Sequence, residues 1–221
     1  MYKRILAIGD IHGELDKFLS LYQQLNFNPA QDLLIFLGDY IDRGEYSFEA
    51  LVWMYGHRQT KNIIMLRGNH EQMMLDYYDN YCQDMLWLAN GGDVTAKALD
   101  RLDDGLHEQY IAFVRNLPLQ FQLQAGGKDF FFCHAGVNPA YPLTEQPPED
   151  LLWIREKFFD HYKGKEIVVA GHTPVGYVHW GSTRPIIEEN MILLDTGSYM
   201  TNGHISCVDV LSGQIWQSLN K

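Results

Sequence analysis

The chain has little cysteine, an excess of acidic over basic residues and no long hydrophobic run. Its three cysteines, Cys82, Cys133 and Cys207, are an odd number without zinc-finger spacing, which favours a reduced, cytoplasmic protein. The 17 Lys and Arg against 28 Asp and Glu give a net charge of −11, so a nucleic acid is not expected as a partner. No apolar run approaches membrane-spanning length, so no membrane partner is expected. An anionic substrate would have to be attracted locally, by metals or arginines.

The chain does have enough apolar material for one large core. Hydrophobic residues make up 46% of the 221 positions, and no linker, repeat or low-complexity segment divides them. We therefore expect a single domain over residues 1–221. The apolar stretch near the start ends at Asp10 and is too short for a signal sequence, which favours a first strand there. The oligomeric state is left open.

Strands alternate with amphipathic helices in the first third of the chain. Apolar runs at 5–8, 33–37 and 63–66 are typical of buried strands, and residues at helical spacing separate them. This alternation predicts a largely parallel sheet with right-handed crossovers. From residue 71 to about residue 116 the periodicity is mostly helical, which predicts a helical insertion beside the functional site.

After Pro118 the pattern becomes that of β-structure. Residues 120–133 favour a β-hairpin, and the apolar run at 167–170 favours a further buried strand. Four short strands are expected nearer the end of the chain, at 186–188, 191–194, 205–211 and 214–219. The chain as a whole is thus predicted to be an α/β protein.

Side chains of the types that commonly bind metals follow five of the predicted strands, and a glycine lies near them at each strand end. They are Asp10 with His12, then Asp39, Asn69, His134 and His172. In an open α/β sheet, ligands bind in the crevice outside the strand ends, so these side chains are expected to converge. Mixed carboxylate, amide and imidazole ligands suit Mn, Fe or Zn. Six of them exceed what one tetrahedral zinc needs and are about right for two metals that share a bridging carboxylate.

Each of these residues also has a purely structural interpretation. Asp10 and Asp39 could be helix N-caps, and Asn69 could be a turn residue. His134 and His172 could be core histidines that bond to backbone carbonyls. Two further alternatives concern their neighbours: Arg43 could pair with Asp39 or Asp42 in a solvated turn, and Cys133 could be a small buried hydrophobe. None of these alternatives explains why such residues occur together at five strand ends.

Three motifs resemble the phosphoprotein phosphatase family, the Ser/Thr phosphatase branch of the calcineurin-like metallophosphoesterases. They are Gly9-Asp10-Ile11-His12-Gly13, Gly38-Asp39-Tyr40-Ile41-Asp42-Arg43-Gly44 and Arg67-Gly68-Asn69-His70-Glu71. The segments His134-Ala135-Gly136 and Gly171-His172-Thr173 are similar to the remaining blocks of the family. The blocks follow the family's order over nearly the whole chain. The compact length and residues 152–156 resemble the small bacterial and phage members.

The resemblance implies a fold and a metal centre. The fold would be a central β-sandwich of mixed sheets flanked by helices, with the helical insertion around residues 71–116. Two divalent ions would be bound, Mn²⁺ by preference, with Fe or Zn as alternatives. One ion would be held by Asp10, His12 and the bridging Asp39, and the other by Asp39, Asn69, His134 and His172. A hydroxide that bridges the two ions would attack phosphorus in line.

The resemblance also implies roles for residues around the metals. His70 would be the general acid for the leaving oxygen, and Asp42 would orient it. Three arginines would bind the phosphoryl oxygens: Arg43, Arg67 and Arg155. For Arg155, a salt bridge to Glu156 or Asp160 is the alternative. The substrate would be a phosphoprotein or phosphopeptide carrying phosphoserine or phosphothreonine, with phosphotyrosine also open.

Two other functions compete with this interpretation. One is hydrolysis of dinucleotide polyphosphates, because a related family shares the first motif; Asp42 and Glu71 argue against it. The other is a metal-binding scaffold without turnover, against which the complete set of ligands and His70 argue. The segment Asn90-Gly91-Gly92 has two interpretations as well: Gly91-Gly92 could cap a helix, or the loop could approach the substrate.

Overall fold

The strands form two five-stranded mixed sheets. The computed structural model describes residues 2–80 and 85–219. The strands of the first sheet are β1 (Arg4–Ile8), β2 (Asp32–Phe36), β3 (Ile63–Met65), β9 (Ser206–Asp209) and β10 (Gln214–Gln217). Those of the second are β4 (Gln120–Ala125), β5 (Lys128–Cys133), β6 (Ile167–Ala170), β7 (Ile186–Ile187) and β8 (Met191–Leu193). These bounds confirm every predicted strand to within a few residues.

Strand pairing explains why the sheets are mixed. In the first sheet the order is β10-β9-β1-β2-β3, with β1, β2 and β3 parallel and β9 antiparallel to both of its neighbours, β1 and β10. In the second the order is β4-β5-β6-β8-β7, where β5, β6 and β8 are parallel and the two edge strands antiparallel. The predicted hairpin is the β4–β5 pair. The parallel central strands of both sheets point their carboxyl ends toward the loops that carry the predicted ligands.

Helices cover the outer faces of both sheets. They are α1 (Leu15–Leu25), α2 (Ser47–His57), α3 (Asn69–Asp79), α4 (Asp93–Leu99), α5 (Asp104–Arg115), α6 (Pro148–Trp153), α7 (Glu156–His161) and α8 (Val175–Val178). A π-helical turn (Leu88–Gly92) precedes α4, and a 3-10 turn covers Leu143–Glu145. The segment from α3 to α5 confirms the helical insertion, although residues 81–84, with Cys82, lie outside the described part. No described helix is long and apolar enough to cross a membrane.

Alternation along the strands builds three apolar layers. In β1, Ile5 and Ala7 point between the two sheets, while Leu6 and Ile8 point toward the helices over the first sheet. The second sheet does the same: Phe130 and Phe132 enter the layer between the sheets, and their alternating neighbours pack under α6, α7 and α8. The free thiols of Cys133 and Cys207 are buried in these layers, as expected for small hydrophobes. A rigid sandwich therefore fixes the positions of the strand ends.

Candidate metal centre and active site

All six predicted metal ligands meet in one buried cluster at the carboxyl ends of the parallel strands. Each of them is 7% exposed or less: Asp10, His12, Asp39, Asn69, His134 and His172. Buried carboxylates and imidazoles at this density are unusual in a core, because burial without compensation penalises charge. The cluster is therefore the main candidate for the functional site.

Asp39 lies at the centre of the cluster. Its Oδ2 is 3.4 Å from His12 Nε2, and its Oδ1 is 3.4 Å from His134 Nε2. Asn69 Oδ1 lies 2.8 Å from His134 Nε2 and 3.0 Å from His172 Nδ1. The two oxygens of Asp39 thus face two different imidazole groups, which is the placement a bridging ligand requires.

The surrounding backbone orients the imidazole rings. His12 Nδ1 lies 3.1 Å from the Ile41 carbonyl, and His134 Nδ1 lies 3.0 Å from the Leu37 carbonyl. Each ring can donate its Nδ1–H to that carbonyl, which leaves the Nε2 lone pair directed at Asp39. The carbonyl contacts therefore use only Nδ1 of His12 and His134, and Nε2 of each ring remains available to bind a metal. The buried Nε2 of His172 has no hydrogen-bond partner in the described part of the chain.

The backbone of the cluster is held in uncommon conformations. Eight described residues other than glycine have a positive φ, and five of them are predicted site residues. The five are His12, Asp39, Asp42, Arg43 and His172. Left-handed backbone at non-glycine residues is costly and gathers at functional sites, where the surrounding structure imposes it. At Gly171, a Cβ would overlap the Asp10 carboxylate, which explains the glycine beside that ligand.

Burial and mutual charge set the electrostatics of the cluster. Burial lowers the pKa values of His12 and His172, which keeps both imidazoles neutral, the form that binds metal. Burial lowers the pKa of His134, but the nearby Asp39 carboxylate raises it, and the net result is a pKa of about 9. Burial raises the pKa of Asp39, but His134 and other imidazoles outweigh it and hold that pKa well below its usual range. Burial, followed by repulsion from Asp195, raises the pKa of Asp10. Cations placed here would relieve this repulsion.

The donor atoms fit two metal ions that share one carboxylate. His12, Asp39 and His70 offer ligand atoms within 4.8 Å of one another, and so do Asp39, His134 and His172. The first group contains His70, the predicted acid, where the prediction placed Asp10. The Asp10 Oδ2 is nevertheless only 4.0 Å from His12 Nε2. Together with the unpartnered His172 Nε2, this donor chemistry fits the implied two-metal centre.

His70, Asp42 and Arg43 lie beside the ligands, as the motif predicts. His70 Nδ1 is 2.7 Å from Asp42 Oδ2. The half-buried guanidinium of Arg43 reaches His12 Nε2 at 3.0 Å and His70 Nε2 at 2.9 Å. It also stacks 4.2 Å from the centre of the Tyr199 ring. The alternative of a solvated turn is wrong here, since Arg43 points at the imidazoles and Asp42 is fully buried.

The other two predicted arginines are placed differently from each other. Arg155 donates to Thr173 Oγ1 at 2.9 Å, directly beside His172. Arg67 donates to the carbonyls of Arg115 and Leu117 at 2.6 and 3.1 Å, at the end of α5. A further Arg67 bond goes to Gln72, and none of its described hydrogen bonds reaches another predicted site residue. This placement supports Arg155 as a phosphate ligand more than Arg67.

We expect Arg67→Ala to reduce stability and to leave turnover nearly unchanged. The substitution removes donors from two carbonyls and from Gln72, which should lower the free energy of unfolding by about 1–3 kcal/mol. Urea unfolding and kcat/KM on a phosphopeptide would test this. Arg58→Ala, whose guanidinium stacks on Tyr55 instead, is the matched control. A large rise in KM with unchanged stability would restore Arg67 to the substrate site.

Sequence reasoning missed several residues of the site. Asp195 is 2% exposed, and burial raises its pKa to about 6. It lies two residues after the end of β8, so a search for polar residues at strand ends would have found it. Tyr199 carried no such signal. Glu71, noted only as part of a motif, accepts hydrogen bonds from the backbone N–H groups of Asp39, Tyr40 and Gly68 and so fixes the central loop.

Comparison with known proteins agrees with this geometry. The sequence model of the calcineurin-like phosphoesterase family matches residues 3–206. Serine/threonine-protein phosphatase 2 of Salmonella typhimurium is 30% identical over 209 residues, which cover 93% of this chain and 92% of the relative. Bis(5'-nucleosyl)-tetraphosphatase PrpE of Bacillus thuringiensis is 27% identical and covers 86% of this chain. A solved structure assigned as a diadenosine tetraphosphatase covers the whole chain and 97% of its own with a TM-score of 0.73; at 17% identity it shows the fold alone.

Proposed function

The chain belongs to the calcineurin-like phosphoesterase family, and from that premise we propose that it is a metal-dependent protein phosphatase that hydrolyses phosphoserine and phosphothreonine. The observation that carries this proposal is the pair of ligand groups that share Asp39, with Arg43 and His70 beside them. A metal-binding scaffold would need the ligands only. It would not need a guanidinium and a second imidazole aimed at the same place.

The metal ions, when bound, would lower the pKa of a coordinated water and neutralise charge that develops on the phosphoryl group. The residues of the chain hold and complete this arrangement. Asp39 Oδ1 accepts the backbone N–H of His70, and His134 Nδ1 contacts the Leu37 carbonyl, so both side chains are held in place. Preorganised ligands and donors need little rearrangement during the reaction, which is the main source of their catalytic effect.

Arg43 is the proposed phosphate-binding residue closest to the ligands. Its two terminal nitrogens lie within 3.0 Å of His12 Nε2 and His70 Nε2, so a phosphoryl group bound there would replace the imidazoles as the acceptor. A planar guanidinium binds two phosphoryl oxygens at once. The Tyr199 ring stacks against the Arg43 guanidinium. Arg155 lies on the other side of the site, where it donates to Thr173 next to His172.

His70 is the proposed general acid. Its Nδ1 faces the Asp42 carboxylate, which leaves Nε2 to carry the proton for the leaving oxygen. This orientation is the one a proton donor needs, because Asp42 contacts Nδ1 and leaves Nε2, on the opposite side of the ring, for the leaving oxygen. Both residues belong to motifs identified in the sequence, Asp42 to residues 38–44 and His70 to residues 67–71.

A dinucleotide polyphosphate is the second candidate substrate. It is favoured by relatives named bis(5'-nucleosyl)-tetraphosphatase, which are 27% identical to this chain or less. The phosphoprotein is preferred because the named Ser/Thr phosphatases are more similar, at 30% identity, and because Asp42 and Glu71 are both integrated in the site.

A substrate panel separates the two candidates. With Mn²⁺ present, we expect phosphoserine and phosphothreonine peptides to be hydrolysed faster than diadenosine tetraphosphate or a phosphodiester. A chelator should abolish turnover, and Mn²⁺ should restore it better than Mg²⁺ because three imidazoles suit transition metals. Nitrophenyl phosphate tests for turnover independently of the substrate. Preference for the dinucleotide would select the second candidate, and activity in a demonstrably metal-free sample would end the two-metal proposal.

A further inference from the structure

The helical insertion contacts the pair formed by Asp42 and His70 through hydrogen bonds to Asp42. The carboxylate oxygens of Asp42 accept three side-chain hydrogen bonds. Oδ2 accepts from His70 Nδ1 and from the indole N–H of Trp87, both at 2.7 Å, and Oδ1 accepts from Thr95 Oγ1 at 2.6 Å. Surrounded by three donors, Asp42 acts only as an acceptor. It therefore keeps a hydrogen on His70 Nδ1, and in the acid form of His70 a second proton would be carried on Nε2, the nitrogen that faces away from Asp42.

A neighbouring hydroxyl, that of Ser47, completes the hydrogen bonding of Thr95. Ser47 Oγ accepts the backbone N–H of Asp42 at 2.6 Å and lies 2.6 Å from Thr95 Oγ1. When Ser47 donates its own proton to Thr95, the Thr95 proton is left for Asp42. Both hydroxyl groups and the Asp42 carboxylate are then hydrogen-bonded. Ser47 and Thr95 are both fully buried or nearly so, which makes an unpaired hydroxyl costly here. The network is thus complete without water.

The π-helical turn Leu88–Gly92 brings the insertion against the central loop. The Gly91 carbonyl accepts the backbone N–H of Arg43 at 3.0 Å, and a Cβ on Gly91 would approach Arg43 Cγ to 2.9 Å. A Cβ on Gly92 would overlap the Trp87 indole. Gly91 itself has φ 95°, where the turn changes direction. The glycine pair therefore interrupts the helix and packs against Arg43 and Trp87, while the approach of this loop to a substrate stays a prediction.

The contacts made by Trp87, Thr95 and Gly91 fall on two consecutive residues with left-handed backbone. Asp42 and Arg43 have consecutive left-handed φ values of 75° and 70°. Such a pair persists only when its surroundings hold it. Trp87 and Thr95 bind the side chain of the first residue, and Gly91 binds the backbone of the second.

We infer that Trp87 and Thr95 are positioning residues for leaving-group protonation, acting through Asp42 on His70. The inference rests on the proposed function, in which His70 is the general acid. It makes the helical insertion a part of the catalytic machinery and not only a cover for the sheet. A purely structural role is the alternative, since Trp87 is fully buried and packs 5.2 Å from the Tyr77 ring.

The kinetic test uses Thr95→Val, which keeps the shape of the side chain and removes its donor, and Trp87→Phe, which removes the indole N–H and keeps one aromatic ring in a smaller side chain. On a phosphoserine peptide, we expect each variant to lower kcat roughly tenfold, the effect of losing one hydrogen bond to a charged acceptor. On nitrophenyl phosphate kcat should change little, because that leaving group needs no proton, and KM should be nearly constant for both. Thr95→Ser should retain activity. Trp53→Phe, on α2 and outside the network, is the matched control.

A spectroscopic test reads the His70 ring without turnover. In metal-free and zinc-loaded protein, ¹⁵N NMR should show hydrogen on Nδ1 of His70, and this signal should weaken or shift in Trp87→Phe and Thr95→Val but not in Trp53→Phe. Unchanged His70 signals, or equal losses of kcat on both esters, would overturn the inference. If His70→Asn itself affects both esters equally, the proposed acid role fails, whereas the NMR signals still decide whether Trp87 and Thr95 position the ring.

Discussion

Asp39→Asn should remove nearly all turnover and weaken both metal sites, whereas His12→Gln should damage only one. The two oxygens of Asp39 face His12 on one side and His134 on the other, so both ions would lose a charged ligand in Asp39→Asn. Loss of residues that merely support a metal ligand costs 10–100-fold in affinity or activity, so loss of the shared ligand should cost at least ~10²-fold. Titration calorimetry with Mn²⁺ and kcat at rising Mn²⁺ would measure both effects.

The control for this substitution is Asp32→Asn. Asp32 is the first residue of β2, as buried as Asp39, and pairs with Arg4 at the opposite end of the strand. Its substitution should lower stability without changing the number of ions bound. Excess Mn²⁺ should partly rescue His12→Gln and not Asp39→Asn. Equal rescue of the two variants would remove the reason for calling Asp39 the bridge.

The position of the site follows from the sequence because strand periodicity and strand-end residues are local features. Asp10, Asp39 and Asn69 each come within three residues of an apolar run, and parallel strands bring such ends together without further information. The pairing of β9 with β1 is different. It joins residues about two hundred positions apart, so no local pattern in the sequence specifies it.

Apart from Asp195, which follows a strand, residues that sequence reasoning did not find include those that act across such distances. Trp87 and Thr95 reach Asp42 from 45 and 53 positions away, and their own segment carries only a helical pattern. The direction of a long side chain is equally hidden. Arg67 belongs to a motif beside the ligands, yet its guanidinium extends to the end of α5. Rotamers of long side chains depend on the acceptors that packing offers, which a linear motif does not contain.

His70→Asn should cost far more on phosphoserine than on nitrophenyl phosphate. Phosphoserine leaves as a basic alkoxide that needs a proton in the transition state, whereas nitrophenolate is stable without one. General acid catalysis is typically worth ~10²–10⁴-fold, so a loss of this size is expected on phosphoserine only. Asp42→Asn should show the same preference in milder form, because it replaces the acceptor that faces His70 Nδ1. Comparison of kcat on the two esters measures the contrast.

Arg43→Ala is the variant that makes this comparison specific. Its guanidinium would bind the phosphoryl group, which both esters share, so it should slow the two reactions by similar factors. A loss that depends on the leaving group is therefore a property of proton transfer and not of a damaged site. Uniform losses for His70→Asn on both esters would instead make His70 a ligand of the metal or phosphate. The geometry already offers that alternative, since His70 lies within 4.8 Å of the ligand atoms of His12 and Asp39.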